Sequence, residues 1–342
     1  MARSKLTIED VARAAGVSRS TVSRVMNNVP GAAESVRRHV KEIIAELGYV
    51  PNQTARALAS RQQPAIDVVV VTPVPAIGWI STHPYYSRVL AGIMTVLDGR
   101  EVQLRLHAVA RPDDTDAVDA IARRVTVGAV LADGPPALAS RLQQQCRRVV
   151  SLVATAQSVP AIEADNAGGA YTAVKYLHQL GRRRIATIHG PDDISCGVSR
   201  RAGYLRAVAE LGLQDLSAGG AFRREVGFSA ARELLDLHPD IDAMFVACDL
   251  MGAGAVQAIT ATGRRLPQDI SIVGFDDSIA AVCSNPPLST MRMPVEDMAS
   301  AAALLLLDGS VSAGYRQRFP VELIVRESTT AQPEGQVAYH SM

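Results

Sequence analysis

Between Gly16 and Ala33 the chain carries Arg19, Ser20, Ser23, Arg24 and Asn27 and not one acidic residue. Guanidinium, hydroxyl and amide groups are the side chains that hydrogen-bond base edges and phosphates, so the chemistry open to this segment is nucleic-acid recognition. Covalent chemistry finds less support. None of the patterns GxSxG, GxGxxG or GxxxxGK[ST] occurs, which leaves an enzyme on this chain without a nucleophile elbow or phosphate loop. Cys146, Cys196, Cys248 and Cys283 stand singly and the seven histidines form no ligand pair, so neither a metal nor a cofactor is expected.

The recognition residues need elements to present them. Thr7 and Asp10 have the spacing at which hydroxyl and carboxylate each satisfy a free backbone N–H at a helix start. Ile8, Val11, Ala12 and Ala15 then repeat at three and four, and Gly16 supplies the turn. Ser18 caps a second helix whose buried face is Val22, Val25 and Met26, leaving Arg19, Ser20, Ser23, Arg24 and Asn27 outward. A third helix, Ser35 to Leu47, closes the core with Val36, Val40, Ile43, Ile44 and Leu47, and Gly48 ends it. Two short helices joined by a glycine turn form a helix-turn-helix, whose second helix enters the major groove. A plain helical bundle would also turn polar residues outward, but it gives no reason to exclude acids from the segment. Charge placement agrees: residues 1–61 hold ten Lys/Arg against five Asp/Glu, the rest 25 against 29.

From Ala65 onward short Val/Ile/Ala runs alternate with amphipathic stretches. Strands are expected at Ile66–Val71, Val102–His107, Val127–Leu131, Ile185–His189, Ala243–Ala247 and Ile270–Phe275. Helices are expected near Tyr86–Leu97, Thr115–Arg124, Ser199–Leu211 and Gly252–Thr262. Such alternation implies parallel sheets with crossover helices, and ligands collect at the carboxyl ends of the strands. The expected fold is an N-terminal all-α helix-turn-helix domain followed by a two-lobed α/β domain. No apolar run approaches the ~20 residues of a membrane span, and the first residues lack a secretory pattern, so a cytoplasmic protein is expected.

Leu6-Thr7-Ile8-Glu9-Asp10-Val11-Ala12, Ala15-Gly16-Val17-Ser18, Thr21-Val22-Ser23-Arg24-Val25 and Leu47-Gly48-Tyr49-Val50-Pro51-Asn52 resemble the signature of the lactose-repressor (LacI/GalR) family. Ala55-Arg56-Ala57-Leu58-Ala59 continues the match. The resemblance implies DNA contacts from Thr7, Ser18, Arg19, Ser20, Thr21, Ser23, Arg24 and Asn27, and from Asn52, Ala55 and Leu58 in a hinge helix that orders on the operator. So short a segment is marginal as an isolated helix, which fits folding coupled to binding; a plain linker is the alternative.

The remainder is similar to the family's effector domain, itself resembling periplasmic sugar-binding proteins, through Asp165-Asn166, His189-Gly190-Pro191, Arg200-Arg201-Ala202-Gly203-Tyr204 and Ile272-Val273-Gly274-Phe275-Asp276-Asp277. The implied organisation is a DNA-binding domain over 1–50, a hinge over 51–63, an effector domain over 64–330 and a tail over 331–342. Lobe one would be 64–163 with 292–328, and lobe two 164–291. Arg200 and Asp276 are implied to hold ligand hydroxyls. Cys248 stands where many relatives have asparagine, and Tyr85 and Trp79 are aromatic candidates for the cleft. The expected partners are pseudo-palindromic operator DNA, a small-molecule effector and a second copy in a homodimer, and the expected function is repression. A sugar effector is favoured, with a nucleobase, another metabolite or no effector as alternatives, and a secreted solute-binding protein as the rival class for the body.

Overall fold

The computed structural model describes residues 7–26, 33–47, 63–72, 80, 82–111, 113–309 and 311–330. Two compact units divide at Pro64 and Ala65.

The first unit contains α1 (Ile8–Ala14), α2 (Arg19–Met26) and α3 (Glu34–Leu47). Thr7 and Asp10 make the reciprocal cap expected of them: Asp10 accepts the Thr7 N–H at 2.9 Å, and the Thr7 hydroxyl accepts the Asp10 N–H at 3.3 Å. Gly16 turns the chain at φ 62°, a left-handed conformation that costs a glycine little. The Ser18 hydroxyl then accepts the Thr21 N–H at 3.1 Å and starts α2. Val11, Ala12, Ala15, Val22, Val25 and Val40 are buried, with Ile43, Ile44 and Leu47 packed against them. The expected stop of the third helix at Gly48 lies outside the described residues.

The second unit holds two six-stranded sheets. Its elements are β1 (Ala65–Val71), α4 (Pro84–Leu97), β2 (Gln103–Val109), α5 (Thr115–Ala122), β3 (Gly128–Leu131), α6 (Pro136–Cys146), β4 (Val149–Ser151), β5 (Ala161–Ala164), α7 (Asn166–Gln179), β6 (Ile185–His189), α8 (Ser195–Leu211), β7 (Ser217–Gly219), α9 (Arg224–Leu237), β8 (Ala243–Val246), α10 (Asp249–Ala261), β9 (Ser271–Asp276), α11 (Ile279–Cys283), β10 (Ser289–Arg292), α12 (Val295–Asp308), β11 (Arg316–Phe319) and β12 (Glu322–Ile324). The sheets run β11-β5-β4-β3-β1-β2 and β12-β10-β9-β8-β6-β7. Pairing is parallel except where β12 meets β10. The central strands of both sheets, β1, β3, β8 and β9, are almost wholly buried, which is why they read as continuous apolar runs rather than as alternation.

One apolar cluster threads both lobes. Ile66, Val68, Val70, Ile93 and Ala302 join it from the first sheet and its covering helices, Leu177, Tyr204, Phe245 and Phe275 from the second. Two expectations need correction. The strand β12 pairs antiparallel with β10, Thr290 opposite Ile324, so residues 322–324 belong to the second sheet and not to a first lobe extending to 328. Three residues carry too little alternation to declare a sheet, and their partner is chosen by a pairing some thirty residues back. The helix expected from Ser199 begins one turn earlier, at Ser195.

Candidate functional site

The helix α2 presents its polar residues as its spacing requires. Ser18, Arg19, Ser20 and Arg24 are exposed, and Thr21 and Ser23 half-buried, while Val22 and Val25 face the core. Arg19 Nε lies 3.3 Å from the Glu9 carboxylate, but both side chains are more than half exposed, so this pair is weak enough to be exchanged for a phosphate. Ser18 also shares its hydroxyl with Ser20 at 2.8 Å and Thr21 at 2.9 Å. Thr7 is committed to its cap. Asn27, Asn52, Ala55 and Leu58 lie outside the described residues.

In the second unit a cavity of about 440 Å³ opens between the lobes, at the carboxyl ends of the strands in both sheets. Thr72 and Asp133 follow β1 and β3 on one wall; Pro191, Cys248 and Asp276 follow or end β6, β8 and β9 on the other. Arg200 reaches in from α8, one turn inside the helix. Its Nε donates to Asn166 Oδ1 at 2.8 Å, its Nη1 donates to the Ala247 carbonyl and pairs with Asp276 Oδ1 at 3.2 Å, and its plane covers the Phe275 ring at 3.8 Å. Burial leaves it 3% exposed. The cation is therefore balanced within the protein, and Asp276 Oδ2 makes no further hydrogen bond among the described residues.

Carboxyl groups outnumber free cations here. Burial raises Asp276 above the usual carboxylate range, opposed by the Arg200 and Arg88 guanidiniums. Burial, with the Asp276 charge adding to it, pushes Asp249 up to about 8. This carboxyl sits under the floor, accepting the Thr290 hydroxyl at 2.6 Å and the Ser278 N–H at 2.7 Å. Burial also raises Asp133 to about 6, although the Tyr86 hydroxyl at 2.6 Å and the Val71 N–H at 3.1 Å hold its charged form. His83 is pushed down to about 4 by burial, against a hydrogen bond to the Phe222 backbone on the opposite lobe, so it is neutral near pH 7.

Of the residues that the resemblance implies for the effector site, Arg200, Asp276, Cys248 and Tyr85 line this one cavity. Cys248 caps α10 without a side-chain hydrogen bond and its thiol is raised by burial. Tyr85 lines the wall, but its hydroxyl already donates to the Ala132 carbonyl at 2.9 Å. Trp79 lies outside the described residues. Missed were Asp133 and His83. Asp133 had a readable signal, a carboxylate two residues past a buried parallel strand. The N-cap role of His83, whose Nδ1 accepts the Tyr85 N–H at 3.3 Å, had none.

Comparison with known proteins agrees with this layout. Residues 7–52 match the model of bacterial regulatory proteins of the lacI family, and residues 174–329 that of the periplasmic binding protein-like domain. The transcriptional regulator CelR of Thermobifida fusca is 36% identical over 95% of this chain and 99% of its own length. The transcriptional repressor CytR of Escherichia coli (strain K12) is 30% identical over 96% and 97%. Among solved structures, a CelR–cellobiose complex superposes with a TM-score of 0.70 at 33% identity, covering 94% of this chain and 99% of that one. A lac repressor dimer bound to operator and the anti-inducer ONPF gives 0.69 at 29%, covering 95% and 99%. No helix among the described residues is long and apolar enough to cross a membrane. With a capped helix-turn-helix in front and a ligand-sized interlobe cavity behind, the chain belongs to the lacI family and is a DNA-binding transcriptional regulator.

Proposed function

We propose that this cytoplasmic regulator acts as a homodimeric repressor, reading a pseudo-palindromic operator with α2 and releasing or gripping it according to a neutral sugar of about disaccharide size held between the lobes. Its work is binding and not catalysis. The observation that carries the effector class is the state of Arg200. Its charge is met by Asp276 and its donors engage Asn166, Ala247 and the Met293 sulfur, so no buried cation is left over for an anion among the described residues. Arg223, at the exposed rim, is the other arginine lining the cavity among the described residues. What the walls offer is acceptor oxygen on Asp276 and apolar surface from Tyr85, Tyr86 and Phe222, a combination suited to hydroxyl groups and the flat faces of pyranose rings. The CelR complex with cellobiose makes that disaccharide the first compound to try.

Titration calorimetry with cellobiose, other neutral disaccharides and glucose 6-phosphate tests this. At least one neutral disaccharide should bind and the phosphorylated sugar should not. Tighter binding of the phosphate would show a free cation in the cleft and reverse the assignment.

At the other end, Arg24→Ala should cost ~1 to 3 kcal/mol of operator affinity and relax base preference, since an exposed arginine on α2 can fork onto a base edge. Fluorescence anisotropy at fixed salt, on the operator and on base-substituted duplexes, measures both. Wild-type affinity and selectivity would remove Arg24 from the groove.

A further inference from the structure

Two arginines from different lobes grip the same pair of cleft residues. Arg200 holds them by their side chains, Nη1 on the Asp276 carboxylate at 3.2 Å and Nη2 on Met293 Sδ at 3.7 Å. Arg88, on α4 of the first lobe, holds them by their backbones: Nη1 donates to the Asp276 carbonyl at 2.7 Å and Nη2 to the Met293 carbonyl at 2.9 Å. Its remaining donors form a two-pronged pair with Glu296 of α12, both at 2.7 Å. Close packing fixes this reach. One turn along α4, a Cβ on Gly92 would lie 2.3 Å from the Glu296 carbonyl, and the Ser300 hydroxyl donates to the Gly92 carbonyl at 2.8 Å. Only glycine lets the two helices approach so nearly, and that approach sets the Arg88 side chain over the ends of β9 and β10.

Asp276 has reason to need such a clamp. Its φ is 110°, in the left-handed range that residues with a side chain rarely adopt, and such a conformation persists only where its surroundings over-determine it. Besides the Arg88 guanidinium, the Asp276 carbonyl accepts the Met293 N–H, at 3.4 Å.

We propose that Arg88 is a positioning residue of the effector site. It holds the Asp276 backbone in its left-handed conformation so that the carboxylate meets Arg200 and ligand together, and it fastens that carboxylate to the first helix of lobe one. The inference rests on the cleft being the effector site. Arg88 itself does not line the cavity, and the proposal gives it no contact with ligand.

The test uses full-length Arg88→Met, which keeps the length of the chain and removes its donors. Cellobiose affinity by calorimetry should fall about tenfold, the scale of one buried acceptor left without its partner. A second measurement needs no ligand. Cys248 is buried in the cavity wall, next to the Ala247 carbonyl that Arg200 holds, whereas Cys146 is buried in the separate core under α5 and α6. Peptide-resolved alkylation by iodoacetamide should therefore accelerate at Cys248 severalfold with Cys146 unchanged. An unchanged Cys248 rate, or equal acceleration of both thiols as expected of general destabilisation, overturns the proposal. Absence of cellobiose binding in the wild type would count against the sugar assignment alone, because the thiol ratio still reads the clamp. Should Arg88→Met fail to fold, Arg88→Lys keeps the charge facing Glu296 without the planar fork. Its Cys248 should still react faster than in the wild type, and equality would overturn the proposal.

Discussion

Arg200→Met is expected to destabilise the effector domain by about 3 to 5 kcal/mol, the range found when one partner of a buried ion pair is removed. The side chains of Arg200 and Asp276 are 4% and 13% exposed, so water cannot replace the lost cation. Methionine would refill part of the volume beside Phe275, yet it leaves the Ala247 carbonyl and Asn166 amide oxygen without their donors. It also leaves two carboxyl groups close together, Asp276 and Asp249, with Arg88 as the nearest remaining cation. The sign with pH follows from the raised carboxyls. A folded-state pKa above the unfolded value costs nothing at low pH, where both states are protonated, costs progressively more as pH rises from the unfolded toward the folded value, and adds nothing further above it. The variant's deficit against wild type should accordingly widen as pH rises above the usual carboxylate range toward the Asp276 value, which the loss of Arg200 raises further, and hold level above it. Urea denaturation as a function of pH measures it, and Arg200→Met with Asp276→Asn should recover part of the loss by removing the stranded charge. A deficit below about 1 kcal/mol that ignores pH would show that the guanidinium is not needed to neutralise the cleft.

Much of this arrangement is visible in the chain before folding, because it is local. The cap at Thr7 and Asp10, the turn at Gly16 and the apolar spacing of α1 to α3 each occupy four to fourteen consecutive residues, and the structure reproduces them nearly residue for residue. Buried parallel strands such as β1 and β9 announce themselves as apolar runs. Arg200 and Asp276 entered through family resemblance, not through spacing, and nothing in their 76-residue separation could have paired them. What stayed hidden depends on distant partners: Arg88 meets Glu296 across 208 positions, Asp249 meets Thr290 across 41, and β12 selects a sheet through β10. No periodicity encodes such contacts. The earlier start of α8 escaped for a related reason, since its first residue follows Ile194, which provides no side-chain cap.

Asp276→Asn should abolish the effector response of operator binding. Asparagine keeps the shape and tolerates positive φ better than most residues, so the loop at φ 110° can persist and Arg200 can still donate to the side-chain oxygen. What disappears is the carboxylate charge facing the cavity, and with it a charge-assisted hydrogen bond to a ligand hydroxyl worth about 1.5 to 3 kcal/mol. An effector shifts an equilibrium only by its differential affinity for the two states, here proposed to be two lobe arrangements that differ in operator affinity. In the wild type that coupling is expected at ~1 to 3 kcal/mol, or roughly 5- to 150-fold in operator affinity, and linkage requires operator DNA to change effector affinity by the same factor. Measuring operator Kd at one fixed effector concentration, and effector Kd with and without operator, gives both sides of the cycle. In Asp276→Asn the operator Kd should be the same with and without effector at the concentration that saturates the wild type. Should the folded variant respond fully, with wild-type effector affinity, Asp276 holds only its own loop and Arg200, and the ligand is gripped elsewhere on the cavity wall.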